Sequence, residues 1–205
     1  MMEEYNINQT TLKILGLFRG DYGKSLHLRR IARETSVDVK AVQIQLRRLE
    51  VVNVLSSLVR GKNKEYHLNL NNPVTKYYLI LAETFISVRF LGRNFLVKKM
   101  VSEVVEGLRG VVILFGSHAK GLERKNSDVD LLVLTERRLD GGVSAETGSP
   151  LSGRLSVKTM SRARFVRGLD ENDPLVREVV SDHVVLKGLD EMCDILWRYY
   201  AHRQT

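Results

Sequence analysis

The chain has 205 residues, of which 43% are hydrophobic, and it carries a formal net charge of +8. That length and composition allow two small domains, each with a core of its own. The single cysteine, Cys193, excludes an intramolecular disulfide framework and suggests a reducing compartment, and no apolar run is long enough to cross a bilayer. Because the N-terminus also lacks the apolar core of a signal peptide, we expect a cytoplasmic protein.

The first third of the chain holds most of the basic surplus, with 12 Lys+Arg against 7 Asp+Glu in residues 1–70. Its first helix is expected to be capped by Asn8 and to end at Gly20. A short strand at residues 25–27 precedes a second helix, which ends in a turn near Ser36. A third helix is predicted over residues 38–50, and its apolar stripe consists of Val39, Val42, Leu46 and Leu49.

A second stripe of the third helix is polar and carries Lys40, Gln43 and Arg47. Guanidinium and amide groups on a helix face are the chemistry with which recognition helices contact bases and phosphates. Two strand-like runs follow, at residues 54–59 and 64–68, and flank a basic turn formed by Arg60, Gly61, Lys62 and Asn63. Between helix and hairpin stands Asn53, a residue that tolerates the left-handed conformation.

This order of elements resembles a winged helix-turn-helix domain over residues 1–72. The resemblance implies DNA contact through the third helix and the wing, with candidate residues Lys40, Gln43, Arg47, Arg60, Lys62 and Lys64. Winged helices also serve as dimerisation or protein-binding modules, so a purely structural role stays open.

Residues 69–73 read as a boundary, because Asn-Asn-Pro interrupts both periodic patterns and Pro73 suits a helix start. Two apolar-periodic segments follow, at residues 74–90 and 94–108. We interpret residues 73–108 as bridging helices and as a dimer surface.

The most informative segment runs from Val111 to Leu134. A buried-strand pattern ends at Gly116 and Ser117, and Asp128 and Asp130 open a second apolar run after a short basic spacer. Two carboxylates two residues apart in a strand point to the same face, which suits a divalent cation. A Gly-Ser turn offers backbone N–H groups and a hydroxyl to phosphate. The alternative is that both acids cap a helix or pair with Arg124 and Lys125.

The string Gly-Ser-His-Ala-Lys-Gly at residues 116–121 and Ser-Asp-Val-Asp at 127–130 resembles the signature of minimal nucleotidyltransferases of the DNA polymerase beta-like superfamily. The resemblance implies that Asp128 and Asp130 are catalytic metal ligands for Mg²⁺ or Mn²⁺. It also implies a bound nucleoside triphosphate, with ATP the first candidate, held by Gly116, Ser117, Lys120 and Ser127. His118 is expected to face solvent or to orient its neighbours.

Active members of this superfamily carry a third carboxylate on the next strand, and this sequence departs from that pattern. The corresponding segment, residues 154–159, contains no acid, and Ser156 or Lys158 occupies the position. Asp140, the nearest upstream acid, belongs to a Gly-rich loop predicted over residues 140–153. The second metal site is therefore in doubt on sequence grounds.

The remaining segments complete an α/β (α+β) fold with a small mixed sheet in residues 109–205. Strands are predicted at residues 155–159 and 184–186, and helices at 162–168, 174–180 and 189–202. Two functions are consistent with the whole chain. One is a Mg²⁺-dependent nucleotidyltransferase that modifies a protein or nucleic-acid hydroxyl. The other is a DNA-binding regulator or antitoxin-like protein with a degenerate transferase domain, a homodimer with a small helical toxin-type partner.

Overall fold

The computed structural model describes residues 7–61, 63–123, 127–136 and 154–203. The chain forms two compact units, one within Met1–Phe85 together with Leu196–Thr205 and the other within Ile86–Ile195. The domain boundaries predicted after residues 72 and 108 stay predictions. No helix in the described ranges is both long and apolar enough to span a membrane.

The first unit begins with three helices and a three-stranded sheet. In chain order its elements are α1 (Gln9–Gly16), β1 (Leu26–His27), α2 (Leu28–Thr35), α3 (Val39–Val51), β2 (Leu55–Arg60) and β3 (Asn63–Leu68). The strand order is β1-β3-β2, and both pairings are antiparallel. The predicted bounds of β1, α3, β2 and β3 agree with the structure to within two residues, α2 ends next to the predicted turn at Ser36, and α1 is shorter than expected.

Local chemistry explains the ends of these helices. The side chain of Asn8 caps α1, accepting a hydrogen bond from the Thr11 backbone N–H at 3.0 Å. The helix stops at Gly16, not at Gly20, and the turn that follows ends at Gly20 with a φ of 74°. Asn53 has a φ of 58°, which confirms the left-handed position expected there. Val39 is 44% exposed, so the predicted apolar stripe of α3 begins only at Val42.

The second unit contains a four-stranded mixed sheet flanked by helices. The elements that follow β3 are α4 (Pro73–Arg93), α5 (Phe95–Glu103), a 3₁₀ turn (Val105–Gly107), β4 (Val111–Phe115), α6 (Gly116–Lys120), β5 (Val129–Leu134), β6 (Leu155–Met160), α7 (Arg162–Asp170), α8 (Pro174–Ser181), β7 (Val184–Lys187) and α9 (Leu189–Ala201). The strand order is β6-β5-β4-β7. Only the β5 and β6 pair of this sheet is parallel. The predicted α+β class with a small mixed sheet is confirmed.

One face of this sheet packs against α5. Val112 and Leu114 of β4 and Leu131 of β5 are buried there against Val97 and Met100 of α5. Burying each such side chain stabilises the fold by about 1.5–3 kcal/mol. Because β4 and β5 are antiparallel, this packing holds the end of β4 beside the start of β5.

Candidate functional site

Gly116 and Asp130 lie against each other where β4 ends and β5 begins. Phe115, the last residue of β4, is paired directly with Asp130. Gly116 has a φ of 73°, and a Cβ atom at this position would stand 2.8 Å from the Asp130 Oδ2 atom. Glycine is therefore required twice, for its left-handed backbone and for the close approach of the carboxylate. The end of β4 and the Asp130 carboxylate are therefore in close approach.

The two carboxylates differ in exposure. Asp128 is exposed and precedes the first residue of β5, whereas Asp130 is half-buried within the strand. Neither carboxylate forms a side-chain hydrogen bond or an ion pair with another residue of the described ranges. The alternative pairing with Arg124 and Lys125 falls on residues outside those ranges. Among the described residues, therefore, nothing competes with a cation for the carboxylates of Asp128 and Asp130.

The backbone just before Asp128 is held by two side chains. His118 Nε2 lies 3.2 Å from the carbonyl oxygen of Ser127, and Arg154 Nη2 lies 3.5 Å from the same atom. Since a carbonyl only accepts, Nε2 of His118 carries the proton and donates it. His118 is only 5% exposed, so it orients its neighbours and does not face solvent. The role of Arg154 was not predicted, because no sequence pattern links it to a carbonyl 27 residues earlier.

Lys120 of α6 has an acidic partner on α8. Its Nζ atom lies 3.3 Å from Glu178 Oε1, and both side chains are substantially exposed. An ion pair with this exposure is worth less than about 1 kcal/mol. The charge of Lys120 is shared with Glu178, yet the pair is weak enough for a phosphate to displace it.

The strand beside the acidic pair supplies no further carboxylate. In the parallel register of β5 and β6, Ser156 is level with Asp130, and Lys158 is level with Leu132. Within the described part of the chain, no three His, Cys, Asp or Glu residues gather into a group able to hold a metal ion. Carboxylate oxygens are the ligands that Mg²⁺ prefers, so Asp128 and Asp130 fit one ion. The described residues do not fit a second. Asp140 and the predicted loop at 140–153 lie outside the described ranges.

Two cavities border the α6 segment, and neither is lined by Asp128 or Asp130. One, of about 310 Å³, is lined in part by His118 and Arg154. The other, of about 360 Å³, is lined in part by Lys120. Arg93 contributes to both cavities.

The candidate DNA-contacting residues lie in the first unit and fall into two groups. Lys40, Gln43 and Arg47 are exposed together on α3. Arg60 Nε lies 3.7 Å from a carboxylate oxygen of Glu65, and Lys62 is outside the described ranges.

Lys64 of β3 forms the closest of these hairpin contacts, with Nζ 2.8 Å from Glu50 Oε1. The hydrogen bond with Glu50 raises the pKa of Lys64. Burial alone would raise the pKa of Glu50, but hydrogen bonds from Lys64 and Ser57 outweigh it and lower that pKa. Lys64 is therefore an internally neutralised cation, unlike the three polar residues on α3.

The family match concerns the second unit. The Nucleotidyltransferase domain family matches residues 97–186, a segment that contains Gly116, Ser117, Asp128 and Asp130. A solved structure of a toxin-antitoxin with AMP-PNP is 19% identical, and the likeness covers 52% of this chain and 86% of that chain with a TM-score of 0.36. No curated protein matches the sequence. Residues 97–186 are thus similar to a nucleotidyltransferase domain.

Proposed function

We propose that residues 97–186 bind a nucleoside triphosphate, with ATP the first candidate, together with Mg²⁺ or Mn²⁺. The observation that carries this proposal is the contact of Gly116 with Asp130, next to Asp128. This contact brings the turn proposed to bind phosphate next to a carboxylate proposed to bind the cation. Ser117 lies in the same turn, and His118 and Arg154 both contact the carbonyl oxygen of Ser127. Gly116, Ser117, Lys120 and Ser127 would contact the nucleotide, and Asp128 and Asp130 the cation.

The first candidate reaction is transfer of the nucleotidyl group to a hydroxyl of a protein or nucleic acid. When bound, the cation would align the triphosphate and neutralise its charge. The chain's own part is to position these groups. His118 and Arg154 hold the backbone ahead of Asp128, and Gly116 keeps its turn within reach of Asp130.

The second candidate function is a DNA-binding regulator or antitoxin-like protein that holds a nucleotide without transferring it. One observation favours it, namely that β6 offers Ser156 and Lys158 beside the acidic pair and no acid. A homodimer and a small helical toxin-type partner in the cytoplasm belong to this proposal, and they rest on the family resemblance.

In both candidates the first unit acts as a winged helix that contacts DNA. The element order α1-β1-α2-α3-β2-β3 and the antiparallel strand order β1-β3-β2 support this proposal. The exposed side chains of Lys40, Gln43 and Arg47 on α3 support it as well. The β2–β3 hairpin would extend the DNA interface through phosphate contacts from Arg60, Lys62 and Lys64.

Nucleotide binding is tested first, by calorimetry with AMP-PNP and Mg²⁺. The wild type is expected to bind, and the double variant Asp128→Asn with Asp130→Asn is expected to lose at least about a hundredfold in affinity, since both charged ligands are gone. The double variant Asp190→Asn with Asp194→Asn, on α9, is the charge-matched control. Equal AMP-PNP affinity in the wild type and the Asp128→Asn, Asp130→Asn variant would show that the nucleotide does not bind at these acids.

Transfer is tested separately with ATP labelled at the α-phosphate. Label that appears on the protein, a partner or a nucleic acid in the wild type, and not in the Asp128→Asn variant, supports the transferase. Binding that persists without label under Mg²⁺ and Mn²⁺ supports the regulator.

DNA contact is tested by gel shift with the DNA upstream of the gene over a series of salt concentrations. Replacing Arg47 and Lys62 by alanine should weaken binding and reduce the salt slope by about two, because each lost phosphate contact removes about 0.9 from it. Replacing Lys98 and Arg109, two exposed cations of the second unit, removes the same charge and should leave the slope unchanged. Equal losses of DNA affinity in the two double variants would show that DNA does not bind specifically at α3 and the hairpin.

A further inference from the structure

Lys158 lies on the face of the sheet that carries Asp130. Paired residues of neighbouring strands share a face, as do residues two apart within a strand. Ser156 is paired with Asp130, and Lys158 follows it two residues later on β6. By the register of the sheet, Lys158 and Asp130 therefore share a face, although they are far apart in sequence.

The ammonium group of Lys158 reaches across β5. Its Nζ atom lies 5.7 Å from the centre of the Phe115 ring, within the range of a cation–π contact. Phe115 belongs to β4, and β5 lies between β6 and β4 in the sheet. A side chain that starts on β6 and ends over Phe115 must pass over β5. Phe115 is paired with Asp130, so the ring that the ammonium group contacts belongs to the residue paired with that acid.

Lys158 carries a positive charge, whereas a ligand of a second metal ion would carry a negative one. A lysine ammonium has three donors and no lone pair, so it cannot bind a metal ion. It can donate to phosphate oxygens, and hydrogen bonds between charged partners are the strong ones. Lys158 itself is exposed, so its ammonium group is open to a ligand entering from solvent.

We propose that Lys158 takes the place of a second metal ion, so that the site binds a nucleoside triphosphate with one divalent cation and one ammonium group. This inference rests on the proposed function, because it assumes that a nucleotide binds at Asp128 and Asp130. It favours the second candidate, in which the nucleotide is held and not transferred. The ligand class is a nucleoside polyphosphate, because a divalent cation and an ammonium group on one face of the sheet can each contact phosphate oxygens.

The test counts bound Mn²⁺ by electron paramagnetic resonance and measures AMP-PNP affinity by calorimetry. Wild type is expected to bind one Mn²⁺ per nucleotide complex, with protein in excess over nucleotide. Lys158→Met keeps the length of the side chain and removes its charge, and its affinity for AMP-PNP should fall about ten- to a hundredfold. Lys158→Asp restores an acid to β6 and should bind two Mn²⁺. Lys98→Met, at an exposed position of α5, is the matched control and should behave as wild type.

Two Mn²⁺ in the wild-type complex, or unchanged AMP-PNP affinity in Lys158→Met, would overturn the inference and leave the proposed function standing. If wild type binds no AMP-PNP with either Mg²⁺ or Mn²⁺, the proposed function falls and the inference falls with it. Thermal unfolding of each variant, followed by circular dichroism, shows whether it is folded. Since Lys158 is exposed, we expect midpoints close to wild type.

Discussion

The two compact units hold their candidate residues in different ways. In the second unit the pairing of β4 with β5 sets Gly116 against Asp130, so backbone hydrogen bonds determine the geometry. In the first unit the candidates are long side chains on a helix and a hairpin, all of them cationic except Gln43. Of these, Lys64 already pairs with Glu50.

The difference shows what each kind of site depends on. A site built on strand register is lost when the backbone is disturbed, and it tolerates changes on the surface around it. A surface of lysines and arginines keeps its place under most substitutions, but its free charge depends on acids nearby. Substitutions at Gly116 and His118 test the register-dependent site, and a substitution at Glu50 tests the surface.

The largest effect is expected from Gly116→Ala. The new methyl group would stand 2.8 Å from Asp130 Oδ2, and a φ of 73° is unfavourable for alanine. We expect the free energy of unfolding to fall by about 1–3 kcal/mol. We also expect metal-dependent AMP-PNP binding to be lost, because the carboxylate must move away. Chemical denaturation and calorimetry measure the two effects.

Gly121→Ala separates these two causes. Gly121 has a similar φ of 66°, but a Cβ atom there would meet nothing within 4 Å. It should lose stability through backbone strain alone and keep its nucleotide affinity. If Gly121→Ala loses as much affinity as Gly116→Ala, the close approach to Asp130 is not what the site needs.

A smaller effect is expected at His118, which acts on Asp128 only through the backbone of Ser127. His118→Leu removes the donor and should weaken Mn²⁺ binding about tenfold, the lower end of the usual cost of losing a group that orients a ligand. His118→Gln keeps an N–H donor on a side chain of similar reach and should restore most of that affinity. Titration of Mn²⁺ distinguishes the variants. Equal weakening in both would reduce His118 to a packing role.

The sequence predicted the parts of both units that short-range chemistry determines. The left-handed Asn53, the Asn8 cap and the strands on either side of Gly116 follow from residue types and local periodicity. The contacts of His118 and Lys120 do not, because Ser127 and Glu178 reach them only through the packing of separate elements. The lack of an acid on β6 was visible in the sequence, but that Lys158 reaches over Phe115 required the strand order.

The smallest effect concerns the surface, through Glu50→Gln. The pKa of Glu50 lies below its ordinary value of 4.5, because hydrogen bonds from Lys64 and Ser57 outweigh the opposing effect of burial. A lowered folded-state pKa contributes stability above about pH 4.5, and that stability is lost as the pH falls through the folded value. We therefore expect Glu50→Gln to be less stable than wild type by about 0.5–1 kcal/mol at pH 7. The gap should close once the pH falls below the folded-state pKa of Glu50, where the wild-type carboxyl is also neutral.

The same substitution should strengthen DNA binding, because Lys64 loses the partner that neutralises it. One more phosphate contact steepens the salt slope by about 0.9 and raises affinity a few-fold at low salt. Glu103→Gln, which adds the same charge in the second unit, is the control for a general electrostatic effect. A steeper slope in Glu50→Gln alone would place DNA at the hairpin. A slope unchanged from wild type would mean that Lys64 does not touch DNA.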